Sequence, residues 1–196
     1  MKIYVAPPRG KLEKESFANW LNYYGLEWEW LDLRKRIKGP LLLCGGADIG
    51  KDPERDEKEF IWIKQALDAN QPIIGVCRGM QILNHYFGGQ VKDLEDYIVE
   101  EHTADEFSDN ADHSGRKSHF HLIQDLDGNT VNVNSRHHQH CSQIADNFRV
   151  THISYPGYAV VEGIEDIDRN IWAVQWHPER MESHDNEYPL NKISAK

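Results

Sequence analysis

The chain has 196 residues, 39% of them hydrophobic and 28% charged, and its 32 acidic side chains outnumber 22 basic ones to give a formal net charge of -10. That composition fits a folded soluble chain rather than a disordered one, and the acidic excess speaks against nucleic acid or an anionic membrane as the main partner. Three cysteines do not make a disulfide framework, so free thiols in a reducing, cytoplasmic setting are expected. The N-terminal MKIYVAPPRGKLEKE lacks the apolar core of a signal peptide, and no stretch approaches the roughly 18 apolar residues of a membrane helix. A single domain over 1–196 is expected, with a loose polar tail over 180–196.

In chain order, KIYVAP (2–7) reads as a buried strand closed by Pro7 and Pro8. ESFANWLNYYG places Phe17, Trp20, Leu21 and Tyr24 at helical spacing, and Gly25 is positioned to stop that helix. LEWEWLDL alternates apolar and acidic residues, the period of a strand. GPLLLCGG is a short apolar run ending at two glycines, as a central parallel strand does. DEKEFIWIKQALDAN sets Phe60, Ile63, Ala66 and Leu67 on one helical face; PIIGV then reads as a buried strand and MQILNHYFGG as a helix. This alternation predicts an α/β fold whose sheet is covered on both faces. Residues 99–117 are acidic and polar, the signature of a long loop or flap. Beyond them TVNVNS, FRVTHISY, YAVVEGIED and NIWAVQWHPE are rich in β-branched and aromatic residues. These four runs either extend the sheet or form an antiparallel edge.

The chemistry concentrates around GVCRGMQ (75–81). A strand, then Cys77, then a helix opening near Gly79 is the layout of a nucleophile elbow, in which small neighbours permit a cramped turn. The turn would expose the sulfur at the carboxyl end of a central strand, where α/β sheets place their sites. The helix N-terminus behind it favours negative charge and hence the thiolate. A thiolate nucleophile needs a base and an orienting group, and WAVQWHPER (172–180) offers His177 as base with Glu179 close enough to hold its tautomer. An oxyanion hole is expected from the N–H of Arg78 and from the GGAD loop, where Gly45 and Gly46 let the backbone approach a substrate closely.

GVCRGMQ, GGAD and QWHPE together resemble a class I glutamine amidotransferase domain. Within that superfamily the chain is most similar to the γ-glutamyl hydrolases related to γ-glutamyl-γ-aminobutyrate hydrolase, peptidase family C26. Arg78 after the cysteine, VNSRHHQ (133–139), RDEKE (55–59) and VVEGIE (160–165) carry that closer likeness. The resemblance runs from about Leu41 to Glu179. It implies a flavodoxin-like, mostly parallel sheet flanked by helices, with an antiparallel extension.

The resemblance also implies roles. Cys77 would attack a γ-glutamyl amide carbonyl and form a glutamyl thioester; His177 would move the protons; Glu179 would orient His177; Gly46 and Arg78 would bind the oxyanion. Gly45, Gln81, Ser135, Arg136, His137 and His138 would shape the glutamyl pocket. Water would then release glutamate. The substrate would be a small γ-glutamyl compound and no cofactor would be needed. The alternative reading is a glutaminase subunit that delivers ammonia to a separate synthase or synthetase partner. A third, a non-catalytic binding protein on the same fold, is disfavoured by the intact Cys77, His177 and Glu179.

Other residues receive plainer readings. Cys44 in LLLCGG is expected to be a buried strand residue. His137, His138, His140 and Cys141 are metal-capable, but adjacent residues of an extended segment point to opposite sides, so no metal is expected there. Trp28, Trp30, Trp172 and Trp176 are expected in strands and core. The oligomeric state is not legible.

Overall fold

The computed structural model describes residues 1–95, 119–157, 160–181 and 187–194. The acidic 99–117 segment lies outside the described residues.

The elements follow as β1 (Lys2–Ala6), α1 (Lys11–Tyr23), β2 (Glu27–Trp30), β3 (Leu41–Leu43), α2 (Pro53–Asp68), β4 (Ile73–Val76) and α3 (Arg78–Tyr86). They continue with β5 (Gln90–Asp93), β6 (His119–Asp125), β7 (Thr130–Ser135), β8 (Gln139–Gln143), β9 (Arg149–Tyr155), β10 (Val161–Asp166), β11 (Ile171–Val174) and the short helix α4 (Asn191–Ser194). Among the described residues, nine strands form one sheet in the order β2-β1-β3-β4-β11-β10-β9-β6-β7, and β5 pairs with β8 separately. The neighbours from β2 through β11 are parallel, while those from β11 to β7 are antiparallel. This is an α/β fold with a mostly parallel core and an antiparallel extension.

Side-chain alternation along the strands explains why both faces are covered. Tyr4, Ala6, Leu41, Leu43, Ile73 and Ala173 face one layer, where Trp62, Ile63 and Ala66 of α2 and Met80 and Leu83 of α3 pack. Ile3, Val5, Leu42, Ile74 and Val174 face the other, against Phe17, Trp20 and Leu21 of α1. The helix over α1 ends as expected at Gly25, which takes φ +64°. Asp52 caps α2 by accepting from the Arg55 N–H at 3.3 Å.

Two expectations need correction. The tail is not loose throughout: Arg180 is buried, Leu190 and Ile193 join the core layer of α1, and Tyr188 stacks on Trp176. Three apolar side chains within a six-residue stretch are enough to dock it. The structure also adds β5, β6 and β8, which periodicity does not predict. β5 and β8 are short and polar, and β6 mixes histidines with apolar residues in no clean alternation.

Candidate active site

The elbow is real in geometry. Cys77 sits between β4 and α3 at φ +52° and ψ -107°, a backbone region costly for a residue with a side chain and characteristic of functional turns. The glycines on either side are required by contact. A Cβ on Gly75 would lie 2.6 Å from the Gly79 carbonyl oxygen, and one on Gly79 would lie 2.2 Å from that of Leu43. The helix therefore lies directly on the strands, which is what lifts the sulfur above the sheet.

His177 arrives from the neighbouring strand. β11 is parallel to β4, with Val174 beside Val76, and the Cys77 N–H donates to the Val174 carbonyl at 2.7 Å. Three residues further on, Asn134 of β7 pins the His177 backbone on both sides. Its Nδ2 donates to the His177 carbonyl and its Oδ1 accepts from the His177 N–H, each at 2.9 Å. Pro178 then opens a 3-10 turn, Pro178–Arg180, that folds Glu179 back onto the imidazole. His177 Nδ1 lies 2.8 Å from Glu179 Oε1; since a carboxylate only accepts, Nδ1 carries the proton and Nε2 is left for chemistry. Burial alone pulls the imidazole toward neutrality. The Glu179 charge and the neighbouring Cys77 sulfur outweigh it and raise the His177 pKa to about 9. His177 therefore favours its imidazolium form.

The cavity at this point has a volume of about 270 Å³ and is lined by Gly45, Gly46, Cys77, Arg136, His177 and Glu179 among others. Of the residues expected in a glutamyl pocket, Gly45 and Arg136 are in its walls, whereas Gln81, Ser135, His137 and His138 are not. Gln81 lies behind the nucleophile. Its Nε2 donates to Gln175 Oε1 at 3.2 Å, and Gln175 Nε2 in turn donates to Cys77 Sγ at 3.6 Å. His137 is buried, which pushes its pKa down to about 3, and its Nδ1 is 2.9 Å from the Gln139 carbonyl. His138 is exposed and pairs with Asp48 at 3.1 Å.

Sequence reasoning misses several contributors. Pro8, Arg9, Gly10, Glu13 and Phe17 supply one wall, although nothing in the strand and helix patterns of β1 and α1 marks them. Asn134 is contained in VNSRHHQ and Gln175 in QWHPE, but a motif does not say where an amide points. Arg180 Nε lies 3.4 Å from Glu179 Oε1, sharing the oxygen that His177 uses. Cys44 and Cys141 are buried as expected of structural thiols, and burial raises Cys44 well above the ordinary thiol range and Cys141 to about 12.

A family profile described as Peptidase C26 matches residues 45–179, which spans the glycine loop, the elbow and the histidine turn. The chain belongs to the Peptidase C26 family. It is 34% identical over 164 residues to the glutamine amidotransferase-like protein YvdE of Lactococcus lactis subsp. lactis, a match covering 71% of this chain and 65% of that protein. It is 37% identical over 166 residues to protein NtpR of Enterococcus hirae, covering 73% and 67% of the two. The match thus spans about two thirds of the length of these relatives. The fold matches that of PurLQS from Thermotoga maritima with a TM-score of 0.73 at 16% identity, over 99% of this chain and 97% of that one. No helix among the described residues is long and apolar enough to cross a membrane.

Proposed function

We propose that this Peptidase C26 member is a cysteine-dependent hydrolase of the γ-glutamyl amide bond of a small γ-glutamyl compound. One observation carries the reading: Cys77, held at positive φ on a strand-to-helix turn, opens into the same cavity as His177, whose Nδ1 lies 2.8 Å from Glu179 Oε1. All three line one cavity.

In this reading the Cys77 thiolate attacks the amide carbonyl carbon, forming a C–S bond as the carbonyl electron pair moves onto oxygen. The N–H groups of Gly46 and Arg78 receive that oxyanion; losing one such donor typically costs on the order of 3 kcal/mol in the transition state. The oxyanion collapses, the C–N bond breaks, and His177 gives its Nε2 proton to the departing amine. Water then enters, His177 takes its proton, and the thioester opens to glutamate and thiolate. Gly45 must lack a side chain, since a Cβ there would sit 3.0 Å from His177 Cε1. Arg136 offers a cation to a carboxylate of the glutamyl head, while Gln81, through Gln175, donates hydrogen-bond support toward the sulfur. Ser135 and His137, buried on either side of Arg136 in the chain, support the pocket from behind its wall, whereas the exposed His138 takes no part in this reading.

The test is glutamate release by the purified chain from a panel of substituted γ-glutamyl amides and glutamine. Release from substituted amides in preference to glutamine is expected. Activity on glutamine alone, or only after a cell extract is added, would assign the chain instead to ammonia delivery for a partner.

A further inference from the structure

Beside the cavity, whose wall includes Arg55, lies a buried ionic cluster whose side chains have no role in catalysis as described above. Arg55, Asp56 and Glu59 stand on the first turns of α2, and Arg78 is the residue after the nucleophile. Glu59 is fully buried, with Arg78 at 1% and Arg55 at 8% exposure. Glu59 Oε1 accepts from Arg55 Nε at 2.8 Å, and Glu59 Oε2 accepts from Arg78 Nη1. Arg78 Nη2 reaches Asp56 Oδ1, and Asp56 Oδ2 accepts the Gly50 N–H at 2.7 Å. Two arginines and two carboxylates thus neutralise each other. Charges buried this deeply are costly and are weak evidence for stability alone.

The outer arm of the cluster is the informative one. Arg55 Nη2 donates to the carbonyl oxygens of Cys44 and Gly45 at 3.1 and 3.0 Å. The Gly45 carbonyl and the Gly46 N–H belong to one planar trans peptide, so pinning the oxygen on one side aims the N–H to the other. A guanidinium on the carbonyl also polarises that peptide and strengthens its N–H as a donor. The guanidinium sits directly against Gly46, where an added Cβ would lie 2.0 Å from Arg55 Nη1. On the inner arm, Arg78 contributes the other oxyanion N–H from the first position of α3, where no intrahelical acceptor competes for it.

We propose that Glu59 is a positioning residue for acyl transfer, bridging Arg55 and Arg78 so that the Gly46 and Arg78 N–H groups are held at one separation and one aim. The inference rests on the reading of this site as a cysteine acyl-transfer centre. Glu59 touches no substrate. It acts through two arginines that each control one donor.

The experiment compares wild type, Glu59→Gln, Arg55→Lys and the double variant by two readouts. The first is steady-state hydrolysis of the best γ-glutamyl amide. The second is the rate of Cys77 alkylation by iodoacetamide, in which the thiolate displaces iodide at a tetrahedral carbon and no oxyanion forms. Glu59→Gln keeps the side-chain length but sets an NH₂ against a guanidinium, breaking one arm. The expected result is a kcat lowered by roughly 10- to 100-fold, below the loss from removing a donor outright. KM and the alkylation rate should stay within about twofold of wild type. Because both residues act through one bridge, the double variant should be no slower than the worse single variant. A folded Glu59→Gln with unchanged kcat would overturn the proposal. So would hydrolysis and alkylation falling together, which would make the cluster a support of the fold and not of the oxyanion donors. If Glu59→Gln does not fold, Arg55→Lys decides by the same two readouts. A wild type that releases no glutamate from any amide or from glutamine, with or without added cell extract, removes the acyl-transfer reading itself, an outcome visible before any variant is made.

Discussion

Asn134 and His177 exchange two hydrogen bonds of 2.9 Å across 43 residues of sequence, the amide of one closing on both backbone groups of the other. Asn134 is fully buried, so solvent does not share these two bonds. The antiparallel extension is thereby tied to the turn that carries His177 and Glu179. Asn134→Ala should leave a buried N–H and C=O without partners, at a cost of about 1–3 kcal/mol each if no water enters. Urea denaturation should show that loss. Turnover should fall by more than the unfolded fraction accounts for, because the imidazole is no longer held at a fixed point over Cys77.

The glycines divide into those that build the elbow and one that clears the cavity. Gly79→Ala forces a Cβ to 2.2 Å from the Leu43 carbonyl oxygen, a rigid backbone group, so α3 must lift from β3. A stability loss of about 1–3 kcal/mol is expected, measured by denaturant midpoint. Gly45→Ala meets the edge of His177 at 3.0 Å. It should fold nearly as well as the wild type while losing activity, because the cost falls on the imidazole.

The electrostatics of His177 give a pH-dependent signature. Glu179 is the largest influence raising its pKa to about 9 against the opposing effect of burial. Glu179→Gln should therefore move the alkaline limb of kcat/KM toward neutral pH. The sign for stability follows from linkage. A histidine at about 9 when folded and 6.5 when unfolded holds its proton more tightly in the native state. Its contribution is complete below pH 6.5 and disappears as the pH rises through about 9. Between those values the wild type should lose more stability than Glu179→Gln, read from denaturant midpoints at both ends of the window.

How much of this was legible in the chain depends on what each signal encodes. LLLCGG and PIIGV read as buried strands because every residue of a two-sided sheet must be apolar, and the structure buries Leu41, Leu42 and Leu43 fully. GVCRGMQ reads as an elbow because only a cramped turn needs glycine on both sides of a cysteine, and Cys77 indeed has positive φ. Direction is what a linear pattern lacks. Gln81 sits one helical turn from Cys77 and was expected in the substrate pocket, yet its amide faces Gln175. Arg9 and Glu13 line the cavity, but their place depends on how the β1–α1 connection passes the sheet edge. The tail composition hides Leu190 and Ile193, whose burial is decided by a surface assembled from distant strands.

The most direct measurement is the mass of the Cys77-containing peptide after the protein is mixed with a turned-over γ-glutamyl amide and quenched in acid. One glutamyl group on Cys77 is expected, decaying on dilution with the same time course as glutamate release, and absent from Cys77→Ala. Glutamate release that persists in Cys77→Ala, with no adduct on the wild-type peptide, would contradict a cysteine-borne thioester.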